Sequence, residues 1–268
     1  MSGDGEVPTC EVAMIGGGNM GAALVGGIID SGSVAPESLA VVERLEARRE
    51  ELTTMFPGVA VLSEIPPCTG AVIAVKPDGV VAATAAAVAA GAVRIVSIAA
   101  GVTLATLIDA AGPGVAVVRA MPNTPALVGR GCAAIAGAPG STEADLAWAE
   151  GILGAVGIVE RLDEQMLDAF TGVAGSGPAY VFLFAETLVA AAVDQGFDET
   201  VAQRVVTQLL VGSAALLEQN GDPATLRTNV TSPGGTTAAG LARFAAHDFA
   251  AIVGDVVDAA TRRSRELG

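Results

Sequence analysis

Directly after the apolar stretch Glu11–Ile15 come Gly16-Gly17-Gly18-Asn19-Met20-Gly21, the spacing GxGxxG, and then an alanine-rich helical segment. Each glycine has a separate task in dinucleotide binding. Gly16 permits the tight turn out of a strand. Gly18 lets a pyrophosphate approach the backbone, and Gly21 lets helix and strand pack closely. The free N–H groups of the helix start, with Asn19 and Met20, then face the phosphates. Alone this pattern is weak in a glycine-rich chain. It gains weight from its flanks and from Glu43, which stands 22 residues after Gly21 at the end of the next apolar run. Glu43 and Arg44 point to opposite cofactors. A carboxylate there accepts hydrogen bonds from the ribose hydroxyls of NAD, whereas an arginine pairs with the 2′-phosphate of NADP. Arg48 and Arg49 follow one helical turn on, either helping there or forming a solvated face.

Four further groups carry polar or cationic chemistry. Lys76, the sole lysine of the chain, lies in Ala74-Val75-Lys76-Pro77 after an apolar run. Loops at the carboxyl ends of parallel strands are where ligands bind in such sheets. Val118–Pro125 contains Met121-Pro122-Asn123-Thr124-Pro125, a loop fixed by two prolines in which Asn123 and Thr124 offer polar groups to a ribose or nicotinamide. Gly175-Ser176-Gly177-Pro178-Ala179-Tyr180 opens a long helical stretch. Asn229–Thr237, with Ser232-Pro233-Gly234-Gly235-Thr236-Thr237, reads as another helix start. Its N–H groups and hydroxyls make an uncharged cradle suited to a carboxylate, although a plain capping loop has the same appearance.

Other chemistries are poorly supplied. Histidine occurs once, at His247, in a segment that reads as a helix end, so a histidine metal site or a serine-histidine hydrolase is disfavoured. Cys10, Cys68 and Cys132 form no CxxC pair and no disulfide framework. No metal is expected. A net charge of -15 repels nucleic-acid phosphates and anionic lipid headgroups, so neither nucleic acid nor a membrane is an expected partner. The apolar stretch Gly79–Ile108, broken only by Arg94, reads as helix, strand and helix rather than as a membrane span. The opening MSGDGEVPTC has neither a basic segment nor an apolar one, which argues against a secretory leader and for a cytoplasmic protein.

The elements that must position these groups fall into two kinds. Expected strands are 11–15, 39–42, 71–75, 93–98, 115–119, 132–136 and 157–161, alternating with helices over 19–30, 45–55, 78–90, 104–111 and 142–153. Strand–helix alternation with continuous apolar strands predicts an α/β fold, a doubly wound parallel sheet of Rossmann type covered on both faces. Beyond about Asp163 only helices are expected, chiefly 178–194, 199–219 and 249–266. The expected domains are therefore 1–162, which binds dinucleotide, and 163–268, an all-α substrate-binding and dimerisation domain. Tyr180, Phe182, Leu183, Phe184 and Leu188 form a surface too apolar for a small domain to cover, which a second copy of the chain would bury.

Four motifs in order, AVKP, MPNTP, GSGPAY and SPGGTT, together with Thr261–Leu267, resemble pyrroline-5-carboxylate reductase over nearly the whole chain. The resemblance implies reduction of L-1-pyrroline-5-carboxylate to L-proline with NADPH or NADH, the last step of proline biosynthesis. It also implies homodimers that assemble further into rings. By resemblance, Ser232 and the backbone of Gly235, Thr236 and Thr237 hold the substrate carboxylate, and the Thr237 hydroxyl faces the ring nitrogen as the catalytic group. Asn229, Val75, Lys76, Pro77 and Asn123 match positions near the cofactor; Gly16, Gly18, Asn19 and Met20 match the phosphate loop. An imine suits this inventory. A ketone demands a proton donor, commonly lysine or histidine, whereas an imine nitrogen is basic enough to arrive partly protonated, leaving mainly alignment to the protein. Two other readings remain at this stage: a hydroxyacid dehydrogenase of the same architecture, and a non-catalytic dinucleotide sensor.

Overall fold

The computed structural model describes residues 9–268, which divide into two compact units. One comprises the chain up to Ser176 together with Ala259–Gly268, and the other is Gly177–Asp258. The segment on which the leader reading rests lies largely outside the described residues.

The first unit is built on one eight-stranded sheet. Its strands are β1 (Cys10–Ile15), β2 (Leu39–Val42), β3 (Ala60–Leu62), β4 (Cys68–Ile73), β5 (Arg94–Ser97), β6 (Ala116–Met121), β7 (Gly131–Gly137) and β8 (Gly157–Arg161), in the order β3-β2-β1-β4-β5-β6-β7-β8. The order reverses beside β1, which opens a crevice between the carboxyl ends of β1 and β4. Helices α1 (Asn19–Ser31), α2 (Glu46–Met55), α3 (Val80–Ala89), α4 (Leu104–Ala111) and α5 (Glu143–Gly154) connect the strands. Successive residues of β1 point to opposite faces: Val12 and Met14 pack with Leu24, Ile28 and Leu153, while Ala13 and Ile15 pack with Val80, Leu104 and Leu107. Both faces are thus covered, as the continuous apolar strands predict.

Three expectations need correction. The sheet is mixed, because β7 runs antiparallel to β6; the 3₁₀ turn Thr124–Val128 returns the chain without the helical crossover that a parallel pair requires. A strand, β3, occupies 60–62 at the sheet edge, where none is expected. Finally, β4 ends at Ile73, so Ala74 and Val75 belong to the turn. The Ala74 N–H still donates to the Ile15 carbonyl at 2.8 Å, but Pro77, without an N–H, starts a 3₁₀ turn (Pro77–Gly79).

After β8 the chain forms α6 (Leu167–Phe170), whose Leu167 is fully buried in the core of this same unit. A π-helical turn, Thr171–Gly175, follows. The second unit holds α7 (Gly177–Asp194), α8 (Glu199–Asn220), α9 (Pro223–Asn229) and α10 (Thr236–Ala246); α11 (Phe249–Leu267) starts within it. Asp198 caps α8 by accepting from the N–H groups of Thr200 and Val201, and Asp222 caps α9 in the same way. Gly196, at φ +95°, follows the end of α7, and His247 sits at the C-terminus of α10. Only Ala202 and Val206 of α8 are buried, whereas Phe182 and Leu183 of α7 are 67% and 60% exposed.

Candidate active site

The GxGxxG turn follows β1, as its flanks predict. Gly16 has φ +110°, and a Cβ there would lie 2.5 Å from the Ala74 carbonyl oxygen. That backbone is closed to other residues. A Cβ on Gly21 would overlap the Gly16 carbonyl oxygen, so α1 rests directly on the turn. At Gly18, by contrast, a Cβ would meet nothing within 4 Å. The space in front of Gly18, at the N-terminus of α1, is open, and no side chain caps that helix. Its free N–H groups therefore face outward, the arrangement that holds a pyrophosphate.

A cavity of about 900 Å³ lies over these strand ends. Gly16 and Gly18 line it beside Glu43, Arg44 and Leu45 after β2, Ser63 and Glu64 after β3, and Val75, Lys76 and Asp78 after β4. The sequence-predicted groups Gly16, Gly18, Glu43, Arg44, Val75 and Lys76 are thus brought together. Asn19 and Met20 form the first turn of α1, and Pro77 opens the turn after Lys76. Open space at Gly18, unpaired helix N–H groups and two flanking cations fit a dinucleotide.

Glu43 is bound more tightly into the fold than its motif position suggests. Its Oε2 accepts from the Gly17 N–H at 3.1 Å and its Oε1 from the Leu45 N–H at 3.0 Å. Arg48 donates from Nε to the Gly17 carbonyl at 2.8 Å, and Arg49 donates to the carbonyls of Glu43 and Arg44. The Arg44 guanidinium makes no hydrogen bond or ion pair among the described residues.

Asn123 is buried after β6. Its Nδ2 donates to the Ala174 carbonyl at 3.0 Å and its Oδ1 accepts from the Cys132 N–H at 2.8 Å. It ties the MPNTP loop to β7 and to the π-helical turn that precedes Ser176; it does not line the cavity over β1 and β4. Thr124 is exposed.

The second unit holds the remaining predicted residues. Asn229 is the last residue of α9, and Gly235 is the N-terminal cap of α10 in an extended conformation. Thr236 and Thr237 are the first two helical residues and are exposed. No side chain caps α10, so the N–H groups of its first turn have no helical partner. Ser232 folds back on this turn: its carbonyl accepts from the Gly235 N–H at 3.1 Å, and a Cβ on Gly235 would overlap its Oγ. A side chain at position 235 would require the Ser232 hydroxyl to turn away. The result is a cluster of N–H and O–H donors without a charge, suited to a small carboxylate.

Sequence reasoning missed a part-buried charge network centred on Arg119 of β6. Arg119, 8% exposed in its side chain, pairs with Glu164 at 3.1 Å and Asp168 at 3.6 Å. Glu164 also accepts from the Leu104 N–H at 2.6 Å, and Asp168 accepts from Ser264 Oγ at 2.7 Å. Arg119 thereby joins the strand that leads to Asn123, the start of α4, the helix α6 and the last turns of α11. The available signal was an arginine inside an apolar strand, which requires acidic partners from elsewhere.

Residues 164–267 match the family model described as pyrroline-5-carboxylate reductase dimerisation, and residues 11–101 match NADP oxidoreductase coenzyme F420-dependent. A pyrroline-5-carboxylate reductase of Synechocystis sp. is 40% identical, covering 96% of this chain and 98% of that protein. One from Arabidopsis thaliana is 36% identical, covering 96% and 95%. Among solved structures, a pyrroline-5-carboxylate reductase from Coxiella burnetii aligns with TM-score 0.90 at 28% identity, covering 97% and 99% of the two chains. The Plasmodium falciparum pyrroline carboxylate reductase with NADP bound aligns with TM-score 0.83 at 28% identity, covering 97% and 98%.

Proposed function

The chain belongs to the pyrroline-5-carboxylate reductase family, and we propose that it reduces L-1-pyrroline-5-carboxylate to L-proline with NADPH or NADH. The observation that carries this reading is the pairing of two binding devices on one chain. One is the open phosphate turn at Gly16–Gly21, and the other is the uncapped, hydroxyl-rich start of α10.

When bound, the reduced nicotinamide supplies the hydride. The chain's own residues do the rest. Gly16, Gly18, Asn19 and Met20 seat the pyrophosphate, Glu43, Arg44, Val75, Lys76 and Pro77 border the adenosine and phosphate region, and Asn123 and Asn229 shape the nicotinamide side. Ser232 Oγ and the N–H groups of Gly235, Thr236 and Thr237 hold the substrate carboxylate. The Thr237 hydroxyl hydrogen-bonds the ring nitrogen, which arrives protonated and keeps its proton as the C=N bond is reduced. No strong acid is needed, and alignment supplies most of the rate.

In this reading residues 1–162 bind cofactor, while 163–268 bind substrate and join two copies. Two helical stretches, Glu164–Asp194 and Glu199–Asn220, are apolar and long enough to cross a membrane, with mean hydropathies of 1.5 and 1.3. Their exposed apolar faces lie within the segment that matches the dimerisation model, so a second copy is their cover. The working protein is a homodimer, extended to a ring of dimers, placed in the cytoplasm and independent of nucleic acid and membrane. The test is a spectrophotometric assay of purified protein with pyrroline-5-carboxylate, run separately with NADH and NADPH. Substrate-dependent oxidation with proline as product is expected; cofactor binding without turnover would reject the reading.

A further inference from the structure

The helical run that begins with α6 does not pass smoothly into α7. It is interrupted by the π-helical turn Thr171–Gly175, in which the Ser176 N–H donates to the Thr171 carbonyl at 2.8 Å. Single π turns of this kind occur frequently at functional sites. Pro178 deprives the Ala174 carbonyl, four residues back, of its α-helical partner, because proline has no N–H. That carbonyl accepts instead from the side chain of Asn123, whose Nδ2 donates to it at 3.0 Å.

Asn123 is buried, and the other end of its amide is engaged as well: Oδ1 accepts from the Cys132 N–H of β7 at 2.8 Å. Met121, at the end of β6, meets the same turn. A Cβ on Gly175 would lie 2.8 Å from Met121 Cε, so the glycine lets strand end and turn approach closely. The MPNTP and GSGPAY motifs thus form one brace, with Met121 and Asn123 on the loop side and Ala174 and Gly175 on the turn side. All four residues belong to the first unit, which the chain leaves after Ser176.

We propose that Asn123 is a positioning residue for hydride transfer: it holds the MPNTP loop in fixed relation to the π turn from which the substrate-binding helices continue. The proposal rests on the reductase reading. There the loop borders the hydride donor, while the acceptor is held by residues that follow the turn in sequence. A slack brace lets donor and acceptor drift without emptying either site. Misplacement by about 1 Å costs up to about a hundredfold in rate.

Stopped-flow mixing of the full-length protein, preloaded with NADPH, with saturating pyrroline-5-carboxylate separates geometry from folding. The first-order rate constant of NADPH oxidation reports alignment, and the amplitude reports the fraction of intact sites. Asn123→Ala, which loses both hydrogen bonds, should lower the rate constant about ten- to hundredfold and leave the NADPH dissociation constant within about threefold. Asn123→Asp keeps the shape and the acceptor toward Cys132 but not the donor toward Ala174, and it should be slowed too. Where Asn123→Ala does not fold, Asn123→Ser takes its place under the same criteria. A parental rate constant in these variants, whether at full or reduced amplitude, would overturn the proposal. Hydrogen exchange followed by mass spectrometry supplies a readout free of catalysis. The Ser176 amide should exchange at least about tenfold faster in Asn123→Ala, measured against the amides of β1 and β4. Unchanged exchange there would show that the turn stands without Asn123 and would overturn the proposal as well. An inactive parent protein would refute the functional reading, and exchange would still decide whether Asn123 holds the turn. An active parent with an unslowed Asn123→Ala would refute this inference alone.

Discussion

Gly21 lies against the Gly16 carbonyl so closely that no Cβ fits between them, whereas Gly18, two residues beyond Gly16, faces open space. Two glycines of one motif therefore answer to different pressures. Gly21→Ala should force α1 away from the turn and destabilise the protein by about 1–3 kcal/mol, the usual cost of overpacking. Gly18 has φ -65°, which alanine adopts without strain, so Gly18→Ala should unfold at the same denaturant midpoint as the parent. Its methyl group would instead enter the pyrophosphate position and weaken dinucleotide binding by about tenfold or more. Chemical denaturation and calorimetry on the same samples separate the two effects; a Gly18→Ala protein that binds normally would contradict the assignment.

Thr237 should matter to the chemical step and not to the cofactor. Loss of one hydrogen bond to a charged nitrogen is worth about 1.5–3 kcal/mol, so Thr237→Ala should lower kcat about ten- to hundredfold. The dissociation constant for NADPH should stay unchanged. Thr237→Ser, which keeps the hydroxyl, should restore most of the rate. Parental turnover in Thr237→Ala would remove its role.

Arg119 joins four separate elements through Glu164, Asp168 and, by way of Asp168, Ser264. Arg119→Met keeps much of the volume but strands two carboxylates. The expected cost is about 2–3 kcal/mol, below that of a fully buried pair because Glu164 and Asp168 retain some solvent. Urea midpoints measure it. A change below about 0.5 kcal/mol, the range of ordinary surface substitutions, would show the network to be incidental.

Asp145 supplies a pH-dependent contribution. It accepts from the Thr142 N–H at 2.9 Å and from the Thr142 hydroxyl at 2.6 Å, closing a capping box at the start of α5, and it pairs with Arg94 at 2.9 Å. The Thr142 hydrogen bonds, chiefly, and Arg94 hold its carboxyl below the usual aspartate range against the opposing effect of burial. A depressed folded-state value stabilises the protein above the unfolded aspartate value of about 4 and is lost as pH falls through and below it. Asp145→Ala should therefore cost about 1–2 kcal/mol near neutrality, and the gap between the two proteins should close at acid pH. A gap that stays constant down to acid pH would contradict the assignment.

The layered fold was legible because its signals are local. Short apolar runs such as Val12–Ile15 and Leu39–Val42, set between glycine-rich turns and helical stretches, read as buried strands, and the helix 104–111 is bounded by Thr103, which caps it, and by Gly112. The antiparallel turn into β7 was not legible, since strand direction depends on how the 3₁₀ segment after Asn123 returns the chain. Nor was β3, a half-buried run of three residues that pairs with β2 alone within the sheet. Within the candidate site, the glycine turn was legible from its spacing taken together with the preceding apolar run and with Glu43 after the next one. The parts that escaped were long-range pairings: Glu43 with Gly17, Asn123 with Ala174 and Arg119 with Asp168 depend on the tertiary fold, not on any sequence period.

The central claim is that a hydroxyl-rich helix start presents the C=N bond to a nicotinamide seated on the first glycine turn. A crystal structure of the homodimer with NADP and proline tests it most directly. The account predicts the pyrophosphate at Gly16–Gly21, the proline carboxylate on Ser232 and the N–H groups of Gly235–Thr237, and the proline nitrogen within hydrogen-bond reach of Thr237 Oγ1. Proline bound away from residues 232–237, or a dinucleotide bound anywhere but the Gly16–Gly21 turn, would contradict it.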